Sequence, residues 1–322
     1  MFSRINWKLL VRLAVSVGLL GWFILSIEWH EIGRAMSGMN YFWLLAAILW
    51  VILAVAVSVV KWRIILLAQG IELGWRELWR IYWAGLFFNN FLPSSIGGDA
   101  LRIVWVGKSV GDAAGAAASV VTERVLATAG LGLVGIMAAI YIPSVATGVL
   151  MLFMILLLVS FILLAALMCG KIHGLFKNRG NRIAGFLYNL SCHGRQIRKK
   201  PGAIMAAFIW SVVFQLCVVA VNYCIFTGLN LFQISWMDSM YIIPVVSVAA
   251  MMPLGINGYG LREGAYISLL SPYGISAANA FASSIIFAFT VSLCSLWGGW
   301  VWVCRRGEGE KGDVKVESLP NS

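Results

Sequence analysis

Long apolar runs alternate with short polar segments along most of the chain. Runs near 9–27, 41–60, 112–142, 145–168, 203–227 and 274–304 each approach or exceed the roughly 20 helical residues needed to cross a hydrocarbon layer about 30 Å thick. They predict six full membrane spans. Two further stretches, 78–111 and 237–273, are broken in their middles by Pro, Gly and polar residues. The first reads FFNNFLPSSIGGDALR from Phe87 to Arg102, and the second MMPLGINGYGLREG from Met251 to Gly264. Loop backbone with unpaired amides cannot face lipid, so at membrane depth it must be enclosed by protein or line a wet cavity. Each stretch fits a re-entrant hairpin of two half-helices.

Composition agrees with a polytopic membrane protein. Of the 322 residues 61% are apolar and 11% charged, and the mean hydropathy is +0.89, which leaves too little polar surface to cover a soluble domain. The net charge of +11 is concentrated in short segments rather than in a nucleic-acid-binding face, so no nucleic-acid partner is expected. Residues 171–200 carry eight cations and no acid, as retained cytoplasmic loops do. Arg4, Lys8 and Arg12 before the first span, Lys61, Arg63, Arg76 and Arg80 after the second, and Arg305 and Arg306 after the sixth ask for the same side. Both termini are therefore expected in the cytoplasm. That arrangement holds if both broken stretches return to the side they left; two full crossings in each, giving ten spans, satisfies the same rule. The apolar run at 9–27 ends without a small-residue cleavage site and reads as a retained span rather than a signal peptide. The six cysteines form no C-x-x-C pair, and no metal or other cofactor is expected. His30, His173 and His193 fall in expected loops, most tryptophans near expected interfaces, as an aromatic belt, and 307–322 reads as a disordered cytoplasmic tail.

The two broken stretches are related to each other. At an offset of 160, Pro93, Ile96, Gly98, Leu101 and Arg102 coincide with Pro253, Ile256, Gly258, Leu261 and Arg262. The same offset lays 41–60 over 203–227 and 112–142 over 274–304. Repeat 1 spans about 9–142 and repeat 2 about 145–304, around the basic linker 171–200, all in one transmembrane domain covering 1–306. Three crossings separate the hairpins, so one enters from each side, and the expectation is an all-α inverted-topology repeat with the two tips meeting near the midplane.

Ionisable residues at that depth are costly and carry the candidate chemistry. They are Asp99, Arg102, Glu123, Arg124, Arg262 and Glu263. Glu123 lies eleven residues beyond Asp112, or about 17 Å along a helix, half the hydrocarbon thickness. Its repeat-related positions are Ser283 and Ser284. Helix ends behind each tip favour anions. Together with Arg102, Arg124 and Arg262, and with Asn89, Asn90, Ser94, Ser95 and Asn257 as neutral hydrogen-bonding groups, they suit a phosphate. Glu123 and Glu263 could neutralise the arginines or carry a coupling proton. The same residues also permit a purely structural reading, as salt bridges and kinks that only hold helices together.

N-x-L-P-S-x-x-G-G-D-x-x-R from Asn90 to Arg102, the Glu123-Arg124 pair, and P-x-x-x-N-G-x-G-x-R-E-G from Pro253 to Gly264 resemble the flippase-like family typified by the membrane half of lysylphosphatidylglycerol synthases. The likeness covers roughly 5–305. Where many relatives have Ser two residues after the second hairpin's proline, this chain has Gly255, which puts that contact in doubt. The resemblance implies movement between leaflets of an amphipathic lipid, such as an anionic phospholipid or a polyprenyl-phosphate-linked glycolipid. It implies a location in a bacterial cytoplasmic (inner) membrane and a route lined by Arg102, Glu123, Arg124, Arg262 and Glu263, with Asp99 supporting the first hairpin. The synthases carry a soluble aminoacyl-transferring domain after the membrane part, and after Arg306 only 307–322 follow here, so no enzymatic activity is expected. Two other functions fit the same sequence. One is a membrane-embedded lipid-phosphate phosphatase or transferase, with Ser94 or Ser95 as nucleophile but no histidine in either hairpin. The other is a non-transporting scaffold for a lipid-modifying enzyme, docked on the basic linker.

Overall fold

The computed structural model describes residue 33 and residues 37–92, 97–141, 147–168, 182–252 and 257–312. Ten α-helices and one short 3-10 turn make up these residues, with no strand among them. We number the helices α1 Tyr41–Ala68, α2 Trp75–Phe91, α3 Gly97–Val110, α4 Ala113–Tyr141, α5 Thr147–Met168, α6 Arg182–Arg198, α7 Pro201–Gly228, α8 Trp236–Met251, α9 Leu261–Leu270 and α10 Ala277–Gly312. Helices α1, α4, α5, α7 and α10 are long and apolar enough to cross a membrane. They correspond to five of the six spans expected from sequence. The sixth, at 9–27, lies outside the described residues.

Three expectations along this backbone need adjustment. The apolar run ending at residue 60 continues as helix to Ala68, so Lys61 and Trp62 belong to the span and not to a loop after it. The basic segment 171–200 contains helix α6, in which His193 pairs with Asp112 at 2.8 Å; it is not a loop residue. At the other end of the chain α10 carries the backbone to Gly312, into the segment read as a tail, and 313–322 lie outside the described residues.

Each broken stretch forms a helical hairpin. In the first, Ser109 near the end of α3 donates to Glu77 in the first turn of α2 at 3.1 Å. Chain entry and exit therefore sit side by side. Nearer the tip the Gly98 amide donates to Asn89 Oδ1 at 2.8 Å. Gly85 faces Gly98 across the hairpin, and a Cβ on Gly98 would meet both the Gly85 carbonyl and the Asn89 side chain. The second hairpin closes in the same way, with the Tyr273 hydroxyl donating to Asp238 at 2.8 Å. Asp238 also completes a capping box with Ser235 that starts α8. The tip of this hairpin runs through left-handed backbone, with φ of 51° at Asn257, 76° at Gly258 and 88° at Gly260. Gly258 packs against Ala250 so closely that a Cβ there would lie 2.8 Å from its carbonyl. Sequences other than glycine at 258 are excluded on both counts.

The 160-residue offset carries α1 onto α7, α2 and α3 onto α8 and α9, and α4 onto α10. Helices α1 and α7 pack along their length and run antiparallel: the Asn40 amide at the start of α1 donates to Gly228 at the end of α7, while Lys200 Nζ at the start of α7 donates to Leu67 near the end of α1. Asn40 and Lys200 are repeat-related positions, so corresponding residues fasten the two ends of the seam. Packing is also crossed between halves. α2 lies on α10, and α8 lies on α4. Small residues permit these approaches: Gly298 of α10 is pressed on the Trp83–Ala84 backbone of α2, and Gly130 of α4 on Ser211 of α7. One apolar core joins α7–α10 to α1 and α4, with Phe226, Tyr266 and Ile242 fully buried; a second, around Trp62, Leu78 and Ile81, fills the space among α1–α4. Helix α5 buries few residues and stands at the periphery.

Candidate functional site

The first hairpin delivers a charged cluster to the interior. Asp99 and Arg102 lie one turn apart on α3 and so share a face. Gly85 on α2 leaves room for the Arg102 stem, whose carbons lie 3.0 Å from where a Cβ would stand. The guanidinium then lies over the rings of Trp62 and Tyr82, 4.1 and 4.5 Å from their centroids, which favours a cation. Arg102 Nη2 reaches Glu123 Oε2 at 2.5 Å, and Lys61 Nζ reaches the other oxygen, Oε1, at 3.1 Å. The Tyr82 hydroxyl donates to Oε1 as well, at 3.2 Å. Lys61, Arg102 and Glu123 are all buried, each at 2% exposure or less. Glu123 thus holds two cations and a phenol in place.

Asp99 extends the cluster toward the surface. Arg124 grips it with two hydrogen bonds of 2.8 Å, from Nε and Nη2, the planar fork-to-carboxylate geometry that arginine favours. Arg102 Nη1 is 3.5 Å from Asp99 as well. The Arg124 side chain remains 52% exposed, so this end of the cluster is accessible. Three cations, Lys61, Arg102 and Arg124, face two carboxylates, Asp99 and Glu123, which leaves one formal positive charge. Arg102 Nε is buried and has no hydrogen-bond acceptor, and Asn90 Nδ2 near the tip has none either.

The second hairpin holds a smaller version. Arg262 Nη2 and Nε donate to Glu263 Oε1 at 2.7 and 3.1 Å, and Nε also reaches Ser284 Oγ at 3.1 Å. Ser284 in turn donates to the same Glu263 oxygen, while the other oxygen accepts from the Gly260 amide at 2.6 Å and caps α9. The Arg262 guanidinium lies 4.9 Å from the centre of the Tyr259 ring. One cation here meets one carboxylate. Ser284, picked out by the repeat as the counterpart of the Glu123-Arg124 step, does face the hairpin arginine.

Among the candidates read from sequence, Arg102, Glu123, Arg124 and Asp99 come together in one network, and Arg262 with Glu263 in another. None of the hydrogen bonds or ion pairs of Lys61, Arg102 and Glu123 involves Arg262 or Glu263. Among the described residues Asn257 joins the hairpins: its Nδ2 donates to the Leu92 carbonyl at 2.9 Å and lies 3.4 Å from that of Asn90. The two hairpins therefore touch beside their tips. Ser94 and Ser95 lie outside the described residues. Lys61, Trp62 and Tyr82 were not foreseen. Trp62 is fully buried, with its indole N–H donating to Ser119 at 3.0 Å, and is not part of an interfacial belt. The available signal was the unbroken apolar helix on either side of Lys61-Trp62, which ran on to Ala68 rather than into a turn. No group of three or more metal-ligating side chains occurs among the described residues.

Comparison with known proteins places this arrangement in context. The family model of the lysylphosphatidylglycerol synthase transmembrane region matches residues 9–298. A UPF0104 membrane protein of Methanothermobacter thermautotrophicus is 24% identical over 301 residues, which cover 86% of this chain and 89% of that protein.

Proposed function

The chain belongs to the lysylphosphatidylglycerol synthase transmembrane-region family, and from that premise and the geometry of its charged clusters we propose that it passes an anionic lipid headgroup between leaflets. It is a multi-pass membrane protein. In the proposed arrangement the two hairpins re-enter from opposite sides, as the antiparallel seam of α1 and α7 supports, and the tips meet at mid-depth. The end carrying Arg63, Arg76, Arg80, Lys108, Arg195 and Arg198 faces the cytoplasm under the positive-inside bias, in a bacterial cytoplasmic membrane.

The observation that carries the proposal is the largely buried cluster, one cation in excess, near the tip of the first hairpin. A purely structural salt bridge would be expected to balance its charges. Here an arriving phosphate would find a surplus cation and the free donor on Arg102, and would compete with Glu123 and Asp99 for their partners. Such an exchange of one anion for another lets the headgroup lose its water without becoming trapped, since the carboxylates reclaim the cations when it leaves. The acyl chains stay in the bilayer throughout, and the task requires no covalent step.

The test is leaflet exchange of labelled phosphatidylglycerol in proteoliposomes. Arg102→Ala and Arg262→Ala are each expected to reduce exchange to the protein-free rate while the protein still inserts and remains monodisperse. Unchanged exchange in both variants would overturn the proposal, and release of inorganic phosphate from a lipid phosphate would replace it with a hydrolytic function.

A further inference from the structure

Outside the charged clusters, one surface feature combines a cavity with cations that make no ion pair among the described residues. Helices α2 and α10 touch backbone to backbone at Trp83–Ala84 and Gly298, and from there toward the basic end of the molecule they splay apart. The gap is a hollow of about 540 Å³ that continues into an apolar one of about 910 Å³ along α1 and α10. Trp79, Trp297 and Trp300 are shared by both, and Trp75 stands at the mouth, its ring covered by the Arg63 guanidinium at 4.3 Å. Arg76 and Arg80, one helical turn apart on α2, line the same mouth. Both are exposed, and neither makes an ion pair among the described residues.

The internal repeat supplies a comparison within the molecule. The equivalent interface, between α8 and α4, has Trp236 and Met240 in place of the two arginines, Ser235 and Ser239 in place of Trp75 and Trp79, and Met137 and Ile140 in place of Trp297 and Trp300. Ser239 is fully buried there. The same place in the scaffold thus carries two arginines and four indoles in one half, and no charge in the other. Interfacial anchoring would not require the aromatic residues to face each other across a gap, nor a pair of cations at its wet end.

We infer that the α2–α10 groove binds one anionic phospholipid, with the phosphate between Arg76 and Arg80 and an acyl chain along the indoles toward Trp83. The chemistry is complementary at both ends: paired guanidiniums for a phosphate and an apolar channel open to the bilayer for the chain. The site goes beyond the translocation reading, because lipid can dock there whether or not it later crosses. α2 also links the two places, since Tyr82 on the same helix contacts Glu123.

The experiment measures lipid retention by the detergent-solubilised full chain, using native mass spectrometry after incubation with phosphatidylglycerol or phosphatidylcholine of equal chain length. The wild type is expected to retain phosphatidylglycerol about tenfold better, the effect of two arginines each contributing about 1 kcal/mol or less. R76Q/R80Q should abolish that preference, while R195Q/R198Q, on α6 at the same end, should keep it. W297A/W300A should lower retention of both lipids. Equal loss in the two arginine double variants would mean a diffuse attraction to the basic end and would overturn the site. Retention that survives R76Q/R80Q but vanishes in Arg102→Ala would place the lipid at the buried cluster and would overturn it too. If the wild type shows the groove-dependent preference yet no leaflet exchange, the docking site stands and the translocation reading alone fails.

Discussion

The two hairpins occupy equivalent places in the scaffold but deal with charge differently. Around Arg102 the carboxylate comes from a neighbouring span, Glu123 on α4, and a second cation, Lys61 on α1, shares it. Around Arg262 the carboxylate is the next residue on the same helix, and the counterpart of Glu123-Arg124 is the uncharged pair Ser283-Ser284. Position 99 shows the same divergence: Asp99 in the first hairpin becomes Tyr259 in the second, an ion-pair partner replaced by a ring. The first cluster therefore ties three helices together through long-range pairs and keeps a surplus charge, while the second is nearly self-contained on α9 with one hydroxyl from α10. A duplicated scaffold has kept its geometry and concentrated its electrostatics in one half.

Removing the shared carboxylate should give the largest difference between the halves. Glu123→Gln leaves Lys61 and Arg102 buried with no anion between them, and should cost about 4 kcal/mol, the usual cost of breaking a buried pair, read as a loss of thermal stability in detergent micelles. Glu263→Gln leaves only one cation, itself partly accessible and still bonded to Ser284, and should cost about 2 kcal/mol. Equal losses would show that the two halves handle charge alike. Lys61→Met sharpens it from the other side: Glu123 keeps Arg102 and Tyr82, so stability should change by about 1 kcal/mol or less, but the surplus charge is gone and exchange of anionic lipid should fall while that of zwitterionic lipid does not. The smallest effect belongs to the link between the halves. Asn257→Gly suits the positive φ at that position and removes only the side-chain hydrogen bonds. About 0.6 kcal/mol should be lost, with a broadened distance between spin labels on the two tips; an unchanged distribution would show that the tips are held by other contacts.

Much of this architecture was legible in the pattern of apolar runs, and the reasons it was legible also explain the errors. Five spans, the two interrupted stretches and the 160-residue offset follow from local features, since a run of apolar residues, a Pro-Gly break and a repeated motif need no knowledge of partners. Arg102, Glu123 and Arg262 were found because charge in an apolar context stands out. Lys61 was missed by the same logic. It lies at the edge of an apolar run, where a lysine ordinarily marks the water boundary, and what buries it is a glutamate 62 positions further along. Trp62 carries no charge and reads as one more tryptophan of an aromatic belt, and nothing marks out Tyr82, until the guanidinium between them is in view. Helix α6 was hidden for a different reason: its basic composition matches a loop as well as a surface helix, and its docking on α4 through Asp112 depends on tertiary contact.

The crossed packing of the halves also bears on how the protein is made. Helix α2 acquires its permanent neighbour only when the chain has grown roughly 200 residues further, to Gly298, a delay of tens of seconds at about 5–20 residues per second. Until then the first hairpin must wait with the Trp83–Ala84 flank of α2 uncovered. A ribosome stalled before residue 277 would leave the ion pairs of α1, α3 and α4 complete but the flank of α2 at Trp83–Ala84 bare, a stone set without its keystone.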